Sequence, residues 1–210
     1  MREQALVFRV YGDIYSGNCY KIKLLANHLG LDHEWVHVDI LQGATRTPEF
    51  LSRNPNGKVP VVEFAGGRCL AESNAILNYL AEGTPYLPDD RWLRATVLQW
   101  QFFEQYSHEP YIAVARYIAR YLGLPDARRA EYESRRQGGM KALRVMEEHL
   151  SRSKYLVGDA LTIADISLYA YTHIAHEGGF DLSAFPAVQT WLTSIGSHPR
   201  HITMDAASNI

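Results

Sequence analysis

Apolar residues dominate positions 5–11, interrupted at Arg9, then recur at Ile22, Leu25, Ala26 and Leu29 with the spacing of a helix face, closed by Gly30. Residues 35–39, Trp-Val-His-Val-Asp, alternate with a period of two. These segments predict a strand at 5–11, a helix at 18–29 and a strand at 35–39: a βαβ unit with a parallel pair and a right-handed crossover. Thr47-Pro48-Glu49-Phe50-Leu51 predicts a short helix with proline in its first turn. After an Asn54-Pro55-Asn56-Gly57 turn, residues 59–64 and 68–70 flank Ala65-Gly66-Gly67 and read as a hairpin. Glu72-Ser73 then opens a helix over 73–82 with Ile76, Leu77 and Leu80 inward.

Residues 83–90 have linker composition, and no strand pattern follows them. A helical pattern over 91–122 carries Trp92, Leu93, Val97, Trp100 and Phe103, with a bend expected near Glu109-Pro110. A second runs over 127–150. Leu161-Thr162-Ile163-Ala164-Asp165-Ile166 is a helix start in which Thr162 caps, Asp165 reaches back and Leu161 staples onto Ile166, with the helix predicted to reach His176. Residues 186–195 form the last short helix. The expected domains are 1–82 (α/β), 83–91 (linker) and 92–210 (all-α).

Composition narrows the function. The 210-residue chain is 47% hydrophobic and 21% charged, ordinary for a globular protein. A net charge of −2 without a basic cluster gives no support to nucleic-acid or anionic-membrane binding. No stretch approaches a membrane span, and the apolar run after Met1-Arg2-Glu3-Gln4 is too short for a signal peptide. Two cysteines, Cys19 and Cys69, make no disulfide framework, so the expected location is cytoplasmic. His173 and His176 lie three apart on one helix without a third ligand pattern, and no metal is expected.

The opening segment from Val10 to Lys21 is strand, loop and helix N-terminus. Its Gly12 turn and Ser16-Gly17-Asn18 run aim backbone N–H groups and the positive helix end at whatever lies above the loop. That is a place to hold an anion, and a thiolate is an anion.

Asn54-Pro55-Asn56-Gly57-Lys58-Val59-Pro60, Glu72-Ser73-Asn74-Ala75-Ile76-Leu77 and Thr162-Ile163-Ala164-Asp165, in that order and at those intervals, resemble cytosolic glutathione S-transferases across nearly the whole chain. The resemblance implies a thioredoxin-like βαβ-ββα domain followed by an all-helical one, a homodimer, and glutathione as co-substrate. It implies a cis bond before Pro60 that turns the backbone of Val59 outward to pair with glutathione as an added strand; a trans edge-strand proline is the alternative. It places the glycine-end carboxylate near Lys58, with Thr45 where related enzymes carry a His, and Gln42 and Arg46 as weaker neighbours. Glu72 and Ser73 suit the ammonium and carboxylate of the γ-glutamyl end; the alternative is an ordinary Ser cap beside a solvated Glu.

Four residues compete for the thiolate. Tyr11 stands at a strand end, where its ring also serves to cap the sheet. Cys19 falls on the apolar stripe of its helix and so reads as a small buried hydrophobe, which argues against a mixed-disulfide mechanism; activation of a first-turn Cys by the helix dipole is the alternative. Ser16 lies in the loop, and Ser16-Gly17-Asn18 resembles the Ser-x-Asn or Thr-x-Asn segment of bacterial, theta- or nu-like members with a serine-type site; a pure capping role is their alternative. The resemblance therefore implies Ser16 and Asn18 as donors to sulfur, and His108 and Tyr111 on the first long helix of the second domain as contacts of a small electrophile. Glutathione-dependent disulfide reduction is the second enzymatic reading, and a non-catalytic binding or regulatory module the third.

Overall fold

The computed structural model describes residues 8–204. Positions 5–7 of the first predicted strand, and the last six residues, lie outside the described part. The chain divides at Glu82 into two compact units, with the segment from Pro199 grouped with the first.

The first unit runs β1 (Phe8–Gly12), α1 (Gly17–Leu29), β2 (His33–His37), α2 (Pro48–Arg53), β3 (Val61–Phe64), β4 (Arg68–Ala71) and α3 (Ser73–Ala81). The sheet order is β2-β1-β3-β4, with β1 and β2 parallel and the other pairs antiparallel. This is the βαβ-ββα layer expected of a thioredoxin-like domain. Val10, Ile22, Leu25, Ala26, Ile76 and Leu77 are fully buried and form its core. Tyr11, Val38, Phe50 and Val61 form a separate buried cluster.

Strand β2 begins and ends two residues earlier than the sequence pattern predicts. Its register is set by β1, running from Phe8 opposite His33 to Gly12 opposite His37, and the Phe8 and His33 rings stack at 5.6 Å. Helix α1 is buried nearly all round rather than along one stripe. The cause is the segment after Pro199, which the sequence reading left in the helical domain. Asn27 Nδ2 donates to Arg200 O at 2.6 Å, Arg200 Nη1 donates to His28 O at 2.8 Å, and Tyr20 Oη donates to Ile202 O at 2.5 Å. Gly30, in the left-handed region at φ 68°, closes the helix as predicted.

The second unit is helical: α4 (Arg91–Phe103), α5 (Glu109–Arg116), α6 (Arg129–Leu150), α7 (Ile163–Thr172) and α8 (Pro186–Gly196). The bend anticipated near Glu109-Pro110 is a π-turn over Glu104–His108, directly before the proline. Pro110 lacks the N–H that would continue the ladder, so the turn widens, and Glu109 N donates to Glu104 O. Helix α7 ends at Thr172 rather than His176. There the Thr172 hydroxyl donates to Leu168 O at 2.7 Å and His173 Nδ1 lies 2.9 Å from Tyr169 O, so side chains take up carbonyls of the last turn; a 3₁₀ turn follows over Ala175–Gly178.

Asp165 is the polar centre of this unit. Fully buried, it accepts from Leu156 N, Thr162 N, the Thr162 hydroxyl and Trp191 Nε1, all at 2.9–3.0 Å. Those donors make its burial tolerable, since an unmet buried carboxylate would cost several kcal/mol. Glu147 of α6 accepts from Ala187 N and Val188 N, tying α8 to the bundle at its positive end. On α4 and the turn after it, Trp92, Leu98, Phe102 and Tyr106 stand exposed in one stripe.

Candidate functional site

The loop after β1 and the start of α1 carry the residues singled out for the thiolate. Ser16 is the N-cap of α1 and its Oγ accepts weakly from Cys19 N at 3.4 Å. As an acceptor in that bond, the hydroxyl keeps its proton for donation elsewhere. Cys19 is fully buried against the end of β1: a side chain on Gly12 would put its first carbon 2.9 Å from Cys19 Sγ. Burial pushes the Cys19 thiol up to about 12, and hydrogen bonding from Ser16 only partly opposes it. Tyr11 donates its hydroxyl to Glu63 Oε2 at 2.7 Å, beneath the Arg53 guanidinium 4.5 Å from the ring centre. It is thereby committed to the sheet, and burial raises its phenol.

Asn18, in the first turn of α1, turns its oxygen inward. Asn18 Oδ1 accepts from Lys21 Nζ at 2.8 Å and from the Ser73 hydroxyl at 3.2 Å, and Lys21 Nζ also lies 3.3 Å from Ser73 Oγ. One hydrogen bond thus joins a residue assigned to the sulfur end and a residue assigned to the γ-glutamyl end, 55 positions apart. Ser73 is the first residue of α3 rather than its cap. The cap position belongs to Glu72, which makes no capping bond and holds φ 67°, ψ 110°. A non-glycine residue there is strained by about 1–3 kcal/mol, a cost found where function fixes the backbone. The strain leaves the Glu72 side chain exposed beside the helix start.

The other predicted contacts come from two loops. Val59-Pro60 is cis, as the resemblance implies, and the ladders to β1 and β4 begin only at Val61, so Val59 precedes them. Lys58 is exposed, with its carbonyl accepting from Asn54 Nδ2 at 2.8 Å. Thr45 is buried in the 3₁₀ turn Ala44–Arg46, close against Gly57, which takes φ +63° and has no room for a side chain between Thr45 O and the Arg46 guanidinium. His108 and Tyr111 lie in the helical unit: His108 is fully buried with Nε2 2.9 Å from Thr172 Oγ1, and the half-buried Tyr111 packs its ring on Gly138.

Sequence reasoning passed over Lys21. The available signal was its spacing of three from Asn18, which places both on one helix face; its bond to Ser73 needed the fold. It also passed over Arg53 and Glu63, which occupy Tyr11.

Among the described residues no helix is long and apolar enough to cross a membrane. The sequence matches "Glutathione S-transferase, N-terminal domain" over residues 6–82 and "Glutathione S-transferase, C-terminal domain" over 100–199. The chain belongs to the glutathione S-transferase family, and it is an enzyme of the glutathione transferase kind. A glutathione S-transferase from Pseudomonas fluorescens Pf-5 has a solved structure similar to it at TM-score 0.93 and 62% identity, over 94% of this chain and 98% of that one. The glutathione transferase URE2P8 from Phanerochaete chrysosporium, solved with oxidized glutathione, is similar at TM-score 0.83 and 25% identity, over 95% and 93% of the two chains. The disulfide-bond oxidoreductase YfcG of Escherichia coli K12 is 33% identical over 192 residues, 87% of each chain.

Cysteine labelling checks the burial argument. An acid whose value is raised to about 12 ionises only near that pH, so Cys19 should resist alkylation in the native protein up to about pH 9. Cys69, exposed on β4, should react. Intact mass after iodoacetamide should show one adduct when native and two when unfolded; two native adducts would contradict it.

Proposed function

We propose that the first unit binds glutathione and activates its thiol as a thiolate for attack on a small electrophile. Ser16 and Asn18 carry the reaction in this reading, a serine-type site of the bacterial, theta- or nu-like kind. Glutathione would lie across Thr45, Lys58, Val59, Pro60, Glu72 and Ser73. The observation that carries the reading is the Asn18–Ser73 hydrogen bond, because it puts donors for the sulfur beside the helix start offered to the γ-glutamyl carboxylate.

The chemistry then needs little. The glutathione thiol loses its proton to solvent, and two donors favour the charged form that remains. The thiolate attacks an electrophilic carbon, a C–S bond forms, and the bond to the leaving group breaks. The protein supplies orientation and anion stabilisation; glutathione supplies the nucleophile. The buried, protonated Cys19 takes no part.

The second reading, disulfide reduction, is supported by similarity to a protein named as a disulfide-bond oxidoreductase. There the same thiolate attacks a sulfur and the S–S bond breaks, so the residues are shared and only the second substrate differs. A non-catalytic module is disfavoured, because the candidate thiolate donor Ser16 is present together with Val59-Pro60 and Glu72-Ser73. Location in the cytoplasm fits two free cysteines.

Bound glutathione should absorb as thiolate at neutral pH, where free glutathione is mostly protonated. Ser16→Ala and Asn18→Ala should each reduce that absorbance and lower turnover of an aryl halide by roughly 10- to 1,000-fold, while Cys19→Ala spares both. Loss of activity in Cys19→Ala alone, with a glutathione adduct on Cys19, would replace this mechanism with thiol–disulfide exchange.

The proposal includes a two-fold dimer. Its support is membership of the glutathione S-transferase family, together with the exposed apolar residues Trp92, Leu98, Phe102 and Tyr106 on α4 and the turn after it. Light scattering at micromolar concentration should return twice the 23.8 kDa chain mass; the monomer mass would remove the dimer.

A further inference from the structure

Lys21 is fully buried on α1, and its ammonium lies 2.8 Å from Asn18 Oδ1 and 3.3 Å from Ser73 Oγ. The two ends of an Asn amide have nearly the same shape but opposite hydrogen-bonding character: oxygen accepts, nitrogen donates. The Ser73 hydroxyl does both, so it tolerates either orientation of Asn18. An ammonium only donates. Reversed, the Asn18 amide would set N–H against N–H at 2.8 Å inside the protein, and the buried ammonium would lose its shorter acceptor. Between Lys21 and Ser73, Lys21 is the one that discriminates.

We propose that Lys21 is a positioning residue for the reaction: by holding Asn18 Oδ1 it makes the amide nitrogen the end of Asn18 presented to the glutathione sulfur. This rests on the reading in which Asn18 donates to the thiolate. Lys21 does not touch the sulfur. It acts through Asn18, and its bond to Ser73 keeps the two ends of the glutathione site in register.

Turnover of an aryl halide and thiolate absorbance of bound glutathione, measured in single and double variants, test this. Lys21→Met removes the donor at similar length and should lower kcat and thiolate absorbance about 10-fold. Lys21→Arg, again only a donor, should restore both to within about threefold. In an Asn18→Ala background Lys21→Met should cost less than about threefold more, because the residue it acts through is gone. Should Lys21→Met not fold, Lys21→Gln serves in its place: a donor and acceptor tolerates both amide orientations, so kcat should fall several-fold in a folded protein. Equal losses from the Lys21 variant in the wild-type and Asn18→Ala backgrounds, or wild-type kcat in folded Lys21→Met or Lys21→Gln, overturn the positioning role while leaving Asn18 as a donor. Wild-type absorbance and turnover in Asn18→Ala overturn both.

Discussion

An ammonium group inside a protein needs acceptors, and at Lys21 they come from two places far apart in the chain. Asn18 supplies a carbonyl one helical turn away, and Ser73 supplies a hydroxyl from the start of α3. Without them the buried charge would cost several kcal/mol. The loop after β1 and the turn before α3 are therefore held together by a polar requirement as well as by the packing of Ile22, Leu25, Ile76 and Leu77. That constraint sets the spacing between the two ends proposed for glutathione.

Around this knot other residues are kept from competing. Tyr11 is occupied by Glu63 and covered by Arg53, so its hydroxyl belongs to the sheet. Cys19 fills the space that Gly12 leaves open, and burial keeps its thiol protonated. In the proposed reading, Ser16 and the nitrogen end of Asn18 are the groups that meet the anion. The backbone at Glu72 is held at φ 67°, where relaxation would be favourable, and the exposed carboxylate it presents suits the ammonium of a γ-glutamyl group.

Much of this was legible in the residues. Alternation and helical periodicity, with the turn signals of Pro48 and Gly66-Gly67, found the strands and α-helices of the first unit but not the 3₁₀ turn Ala44–Arg46, and Thr162 with Asp165 marked the start of α7 through a capping box that the structure contains. Cys19 was placed in the core by its position on the α1 stripe. What escaped were features that depend on distant parts of the chain. The β2 register follows its partner strand, the all-round burial of α1 follows from Arg200 and Ile202, and the role of Lys21 follows from Ser73. His108, which the resemblance implied as a substrate contact, is buried in the helical unit with Nε2 2.9 Å from Thr172 Oγ1, a partner visible only in the fold.

The central claim is that sulfur is held by Ser16 and Asn18 while the γ-glutamyl carboxylate lies on Ser73. The structure of the protein with glutathione bound tests it most directly. The account predicts a sulfur within about 3.5 Å of Ser16 Oγ or Asn18 Nδ2, with the carboxylate accepting from the Ser73 hydroxyl. A sulfur joined covalently to Cys19, or a carboxylate held away from the start of α3, would contradict it.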